Sequence, residues 1–364
     1  MLEIMRILIV YGTRPEFLKV YPLIRELLKI DNILLSVINT GQHRDMVLEL
    51  ESFFNYSADI YLNIMTEGQS LNSIVSKIVL ACDHLFDELK PDFVLIQGDT
   101  TTVMSTALAA FNKSIKICHL EAGLRSRNIN SPFPEEFNRR TVSLISNINF
   151  APTENAKTNL IQDGVKAETI YVTGNTIIDT LKLVKKRLLT KVEDNKVHIL
   201  VTAHRRENHK VGIKHICNAI RDILSIYENV WVTWPVHPNP HVMDIVYKEL
   251  GQIDRVSLIK PVNYLSLLEL INNSHIIWTD SGGIQEEAPE FNKPVLILRE
   301  ETERPELITC GLGFLVGTNE ALIKEKTIQI LDDKQYSDSL KTVINPFGDG
   351  MASIKIAKIL AGLE

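Results

Sequence analysis

Short, strongly apolar runs recur along this chain, each followed by a stretch with helical periodicity, and no other feature constrains its fold as tightly. The first set of runs is Arg6–Tyr11, Leu34–Asn39, Phe93–Gln97, Lys116–Leu120, Ile148–Ala151 and Ile170–Thr173. A second set follows at His198–Thr202, Val230–Trp234, Val256–Ile259, His275–Thr279 and Pro294–Leu298. Between them lie helical patterns such as Phe17–Lys29, Ser70–Leu89, Thr101–Phe111, Ile213–Ile226 and Tyr264–Asn272. Strands apolar on both faces and separated by helices imply parallel sheets covered on both sides. The pattern predicts an α/β, doubly wound fold. It breaks near 174–196, where the helical segment Asp179–Leu189 ends in Lys191-Val192-Glu193-Asp194-Asn195-Lys196 and the strands restart. At 364 residues the chain is more than twice the ~150-residue domain unit. We therefore expect two Rossmann-like domains of similar size with an interdomain cleft. The first spans 1–172 and is joined by a C-terminal helix at 350–364, and the second spans 173–349. Ligands in such sheets sit beyond the carboxyl ends of the strands.

Composition narrows the partners. The net charge is −6, and no basic run is longer than Lys185-Lys186-Arg187, which argues against nucleic acid or an anionic membrane surface. The four cysteines, Cys82, Cys118, Cys217 and Cys310, are far apart and form no CxxC pair, as expected of a protein of the reducing cytoplasm. The N-terminal apolar run is interrupted by Glu3 and Arg6 and leads into Gly12-Thr13-Arg14-Pro15, so it reads as a first strand and not as a signal peptide. No apolar run approaches the ~20 residues that cross a bilayer.

The polar residues that break the pattern fall repeatedly at strand ends. After His275-Ile276-Ile277-Trp278, the glycines of Ser281-Gly282-Gly283 turn the chain into a helix opening at Ile284–Glu290. A strand, a glycine turn and a helix N-terminus make an anion site, because free N–H groups and the helix dipole point at the ligand. Acids in the first turn repel a phosphate, so Glu286 or Glu287 is expected to face ligand hydroxyls. The plain alternative is a strand–helix turn whose acids suit the dipole.

After the first strand comes Gly12-Thr13-Arg14-Pro15-Glu16-Phe17-Leu18-Lys19, which lacks the dinucleotide GxGxxG; Arg14 and Lys19 can both face the cleft, the plain alternative being a surface turn with ordinary basic residues. Asp99 of Gly98-Asp99-Thr100 either caps the helix at Thr101 or joins a site. Glu121 follows the next strand, and Glu135 opens a helix after a proline-rich loop. Three carboxylates from three elements suggest a shared catalytic role. In the second half, His204 ends a strand beside Arg205 and Arg206, and His237 ends another in a proline-stiffened loop. Arg304 precedes Pro305 at a helix start. The set fits a phosphorylated, hydroxyl-rich ligand whose diphosphate is balanced by Arg, His and a helix N-terminus. No HExxH, EF-hand loop or DxD run marks a metal site.

Gly12-Thr13-Arg14-Pro15-Glu16, Gly98-Asp99-Thr100, His119-Leu120-Glu121-Ala122-Gly123-Leu124-Arg125, Pro134-Glu135-Glu136 with Asn138-Arg139, His204-Arg205-Arg206-Glu207-Asn208, Asp280 to Ala288 and Thr302-Glu303-Arg304-Pro305-Glu306 resemble the motifs of the non-hydrolysing UDP-N-acetylglucosamine 2-epimerases, in the family's order. The resemblance implies a GT-B fold, a homodimer, and reversible conversion of UDP-GlcNAc to UDP-ManNAc for surface-polysaccharide precursors, without a cofactor. It implies that Asp99, Glu121, Glu135 and His204 are catalytic, and that Arg14, Lys19, Ser281, Gly282, Gly283, Glu287 and Arg304 bind the nucleotide sugar. It also implies an allosteric pocket for a second, activating UDP-GlcNAc at Gln42, His43, Arg205, Arg206 and His237. Leu267 stands where some members have Phe on the uracil side. The implied mechanism is elimination of UDP to 2-acetamidoglucal and re-addition on the other face. Rival readings are a GT-B glycosyltransferase and a hydrolysing epimerase.

Overall fold

The computed structural model describes residues 4–66, 68–188, 194–205, 211–340 and 342–362. It divides into two compact units, Met1–Lys182 with Phe347–Glu364, and Leu183–Pro346.

The first unit is built on seven parallel strands: β1 (Met5–Tyr11), β2 (Ile33–Asn39), β3 (Ile60–Tyr61), β4 (Phe93–Gln97), β5 (Lys116–Leu120), β6 (Ile148–Ala151) and β7 (Ile170–Val172). Their order is β3-β2-β1-β4-β5-β6-β7. Helices α1 (Arg14–Leu27), α2 (Arg44–Phe53), α3 (Leu71–Leu89), α4 (Thr101–Asn112), α5 (Glu135–Ile145), α6 (Glu154–Gln162) and α7 (Thr176–Lys185) connect and flank them. The second unit has six parallel strands: β8 (Val197–Thr202), β9 (Val230–Pro235), β10 (Val256–Ile259), β11 (Ile276–Thr279), β12 (Val295–Ile297) and β13 (Gly313–Leu315). Their order is β10-β9-β8-β11-β12-β13. Its helices are α8 (Val211–Ile226), α9 (Pro240–Leu250), α10 (Tyr264–Asn273), α11 (Gly282–Glu287), α12 (Pro305–Thr309), α13 (Glu320–Asp332) and α14 (Lys334–Leu340). The last helix, α15 (Ala352–Ala361), belongs to the first unit.

The central strands explain the apolar runs. Ile7 to Tyr11 of β1 are each no more than 1% exposed, so both faces of the strand are covered. In β11, Ile276, Ile277 and Trp278 are fully buried. Two short edge elements, β3 and β13, escape the sequence pattern: Ile60–Tyr61 is only two residues long, and Gly313–Leu315 opens on a glycine, which is depleted in strands. The first domain junction falls later than expected from the sequence. The Asp179 carboxylate of α7 accepts from Ser353 N–H at 2.8 Å and Ala352 N–H at 3.3 Å. Thr180 donates to the Leu18 carbonyl. Helix α7 is thereby tied to the first unit, and the same carboxylate caps α15.

Strand order fixes where polar loops gather. Neighbouring strands β1 and β4 carry on to opposite halves of the first sheet, and β8 and β11 do so in the second. Loops leaving such a pair diverge, which opens a crevice at the strand ends. The register keeps those ends level: Val10 lies opposite Ile96, Gln97 opposite Leu120, and Thr202 opposite Thr279. Among the described residues, no helix is long and apolar enough to cross a membrane.

Asp179→Ala is expected to cost about 1–2 kcal/mol through loss of the α15 cap. The check is hydrogen exchange of residues 352–361, which should accelerate; unchanged protection there would show that other contacts hold the helix.

Candidate active site

In the first unit, Asp99 and Glu121 leave the ends of adjacent strands β4 and β5. The Glu121 backbone is left-handed, with φ of +60°, a conformation that a non-glycine residue holds at a cost. Its Oε2 takes an ion pair from Lys19 of α1, a hydrogen bond from Gln97 at 3.1 Å and one from Asn175 at 3.3 Å. Three donors on one oxygen stabilise the charged form. Asp99 Oδ2 is gripped by Arg139 of α5 through Nε at 3.0 Å and through Nη2. Asn138 donates to the Asp99 carbonyl at 2.8 Å, and His119 Nε2 donates to the preceding Gly98 carbonyl at 2.7 Å. Burial pushes the His119 imidazole down to about 4, which keeps it neutral and leaves it a hydrogen-bonding strut. Asp99 does not cap α4: Thr100 is the N-cap, and its hydroxyl accepts from Val103 N–H at 3.3 Å. Glu135 opens α5, one helical turn before Arg139.

The turn after β1 is equally constrained. Gly12 has no room for a Cβ, which would collide with the Thr40 and Thr102 hydroxyls. Arg14 opens α1, and Glu16 folds back on the turn, its Oε2 accepting Gly12 N–H at 2.6 Å and Thr13 N–H at 3.2 Å. Gln42 and His43 lie at the end of β2. His43 N–H donates to Gly12 O at 2.7 Å, and the Thr102 hydroxyl donates to the Gln42 side-chain carbonyl at 2.6 Å. Crowding by the surrounding chain, and then the Arg14 charge, hold the His43 imidazole below its ordinary value.

In the second unit, Asp280 is fully buried at the end of β11. His204 Nδ1 pairs with its Oδ1 at 3.0 Å, and the N–H groups of His204 and Arg205 each donate to Oδ2 at 2.8 Å. Burial opposes ionisation of Asp280, but the His204 hydrogen bond and charge and the two amides outweigh it. Its carboxyl is held below the usual range. The His237 ring stacks on His204 at 5.6 Å. Arg206 lies outside the described residues.

The Ser281 turn opens α11 at Gly282, earlier than the sequence suggests, and Ala288–Phe291 continues as a 3₁₀ turn around Pro289. Arg304 lies against Gly282: a Cβ there would stand 2.7 Å from its Nη1. Its guanidinium is oriented by Glu286 at 2.7 Å and Glu303 at 3.4 Å, and Glu303 also takes Arg299 at 2.9 Å. Of the acid pair, Glu286 faces Arg304. Glu287 is buried in the same helix, 5% exposed. Among the described residues, no group of three or more His, Cys, Asp or Glu side chains forms a metal cluster.

A family model for UDP-N-acetylglucosamine 2-epimerase matches residues 25–361. The chain belongs to the UDP-N-acetylglucosamine 2-epimerase family. It is 42% identical to the UDP-N-acetylglucosamine 2-epimerase of Salmonella typhimurium, over 98% of both chains. It is 44% identical to that of Bacillus subtilis, over 98% of this chain and 95% of the relative. Among solved structures, a Neisseria meningitidis UDP-GlcNAc 2-epimerase bound to UDP-GlcNAc superposes with a TM-score of 0.94, at 42% identity over 99% of this chain and 100% of that one. A Methanocaldococcus jannaschii epimerase in complex with UDP-GlcNAc and UDP gives 0.84, at 34% identity over 98% and 99%.

Within this epimerase-family scaffold the structure brings Lys19 onto Glu121, His237 onto His204, and Arg304 onto the Gly282 turn. It adds residues to which the sequence reading gave no role: Gln97, Asn175, Arg139, Glu16, Asp280 and Glu303; Glu286, one of two acids expected to face ligand hydroxyls, pairs with Arg304 instead. Arg139 and Asp280 stand inside quoted motifs, and their place there is the available signal. Asn175 has none, because its partner is 54 residues away.

Burial raises the Glu16 carboxyl from 4.5 to about 7, against the pull of its Thr100 and backbone hydrogen bonds. A raised carboxyl contributes stability that is complete below the unfolded pKa and is lost as pH rises through 7. Glu16→Gln should therefore gain on the parent by about 3 kcal/mol between pH 4.5 and 8, at ~1.36 kcal/mol per pH unit. Parallel stability curves from denaturant titrations would rule this out.

Proposed function

We propose that this chain interconverts UDP-GlcNAc and UDP-ManNAc, by elimination and re-addition of UDP. The observation that carries the reading is the pair of carboxylates at adjacent strand ends of a family member, Glu121 held by Lys19 and Asp99 held by Arg139. The C2 proton of the sugar is not next to a carbonyl, so its direct removal is too costly. Breaking the C1–O bond first changes the chemistry. Positive charge grows at C1, where fixed carboxylates stabilise it, and the electron pair leaves with UDP. A carboxylate takes the C2 proton, giving 2-acetamidoglucal. UDP oxygen then returns to C1 as a proton is delivered to the opposite face of C2. Asp99, Glu121 and Glu135 are the groups proposed for the sugar.

His204, Arg304 and the Ser281-Gly282-Gly283 turn are proposed to hold the diphosphate as it leaves. Their charge is pre-arranged: Asp280 fixes the His204 ring, and Glu286 and Glu303 fix the guanidinium. Glu287 is assigned to the nucleotide hydroxyls, and Arg14 to the substrate.

The test is incubation with UDP-GlcNAc in D2O. UDP-ManNAc carrying deuterium at C2 is the expected product. UDP-GlcNAc recovered without label, or sugar moved to an acceptor with C2 untouched, would overturn the reading. Glu121→Gln should leave a folded protein without turnover. Gly282→Ala should displace Arg304 and raise KM about tenfold, or ~1.4 kcal/mol of lost binding, with a smaller change in kcat.

A further inference from the structure

Glu16 makes more bonds than a helix cap requires. It is 1% exposed. Its Oε2 closes a capping box on α1 by accepting Gly12 and Thr13 N–H, which by itself is a local device. Its other oxygen, Oε1, accepts from the hydroxyl of Thr100, 84 residues away in the turn after β4. That hydroxyl already accepts from Val103 N–H to cap α4, so its one proton goes to Glu16. One carboxylate thus ties the N-termini of the two helices that diverge from the β1–β4 pair. Burying it carries a desolvation cost that a surface cap avoids. Arg14 and Lys19 lie on one side of the tie, and Asp99 on the other.

We infer that Glu16 is a positioning residue, a buried clamp that fixes the 12–14 turn against the 98–100 turn and so places Asp99 relative to Arg14 and Lys19 without touching the substrate. Its bearing on catalysis rests on the epimerase reading above. Small displacements of groups that face a reacting centre cost rate steeply, even when they begin in a contact remote from the substrate. A neutral amide keeps the geometry, since its oxygen accepts from Gly12 and Thr13 and its NH2 donates to Thr100.

The full chain is compared with Glu16→Ala, Glu16→Gln, Thr100→Val and Thr100→Ser. Conversion of UDP-GlcNAc, thermal unfolding and backbone hydrogen exchange are measured for each. The Gln and Ser variants should keep the parent's kcat, whatever their stability at a given pH. The Ala and Val variants should remain folded with kcat lower by about tenfold or more. Exchange should accelerate across the clamp, at residues 98–104 in Glu16→Ala and at 12–17 in Thr100→Val. If both folded variants keep kcat within about twofold of the parent, the clamp has no part in catalysis. If faster exchange stays on the side of the substitution, each residue is only a local cap. Should Glu16→Ala fail to fold, Thr100→Val against Thr100→Ser carries the comparison. A parent that converts no UDP-GlcNAc refutes the reaction, and the exchange pattern then decides the clamp.

Discussion

Double burial of a parallel strand is the constraint from which the structure of each unit follows. Strand β1 is apolar from Ile7 to Val10 and has water on neither face. Its backbone groups must therefore be satisfied laterally, by β2 on one side and β4 on the other. Parallel neighbours cannot be joined by a tight turn, so each connection becomes a helical crossover. With β1 and β4 side by side, the chain leaves their ends in opposite directions. The N–H groups of the turns that follow are then left for side chains and ligands. The second unit repeats the arrangement around β8 and β11. The candidate chemistry sits at these strand ends, where the turns present N–H groups to side chains and ligands.

The same burial governs the charges. Asp280 is fully buried and would be costly as a lone anion. Two backbone amides and His204 offset that cost and fix the ring in the process. Arg304 is flanked by Glu286 and Glu303, and Glu303 is shared with Arg299. Glu121 is matched by Lys19, and Asp99 by Arg139. Groups held this way pay little reorganisation when charge develops on a bound ligand, which is what leaving-group chemistry requires. Glu16 is the odd member. Among the described residues, backbone amides and a hydroxyl hold it, and burial is the dominant influence on its proton.

Most of this was legible before the fold was known. The apolar runs around Arg6–Tyr11 and Phe93–Gln97 locate their strands within a residue, because a doubly buried strand tolerates almost no polar interruption. Asp99, Glu121 and His204 stand out for the same reason, as polar residues where an apolar run stops. Where the sequence left alternatives open, local competition decided them. Asp99 and Thr100 are both good capping residues, and Thr100 takes the cap while Asp99 turns to Arg139. Glu286 and Glu287 are indistinguishable on paper, yet in the structure it is Glu286 that pairs with Arg304. Edge strands β3 and β13 lack a continuous apolar run, the first being two residues long and the second opening on Gly313.

The sequence by itself determined the α/β class, the strand-end location of the polar residues and the family, since these depend on hydrophobic periodicity and on short contiguous motifs. Tertiary structure alone decided who holds whom. Arg139 reaches Asp99 across 40 residues, Thr100 reaches Glu16 across 84, and α15 returns 174 residues later to be capped by Asp179. Such pairings depend on sheet order and register, which bring distant strand ends level. Periodicity along the chain carries no information about which strand will lie beside which.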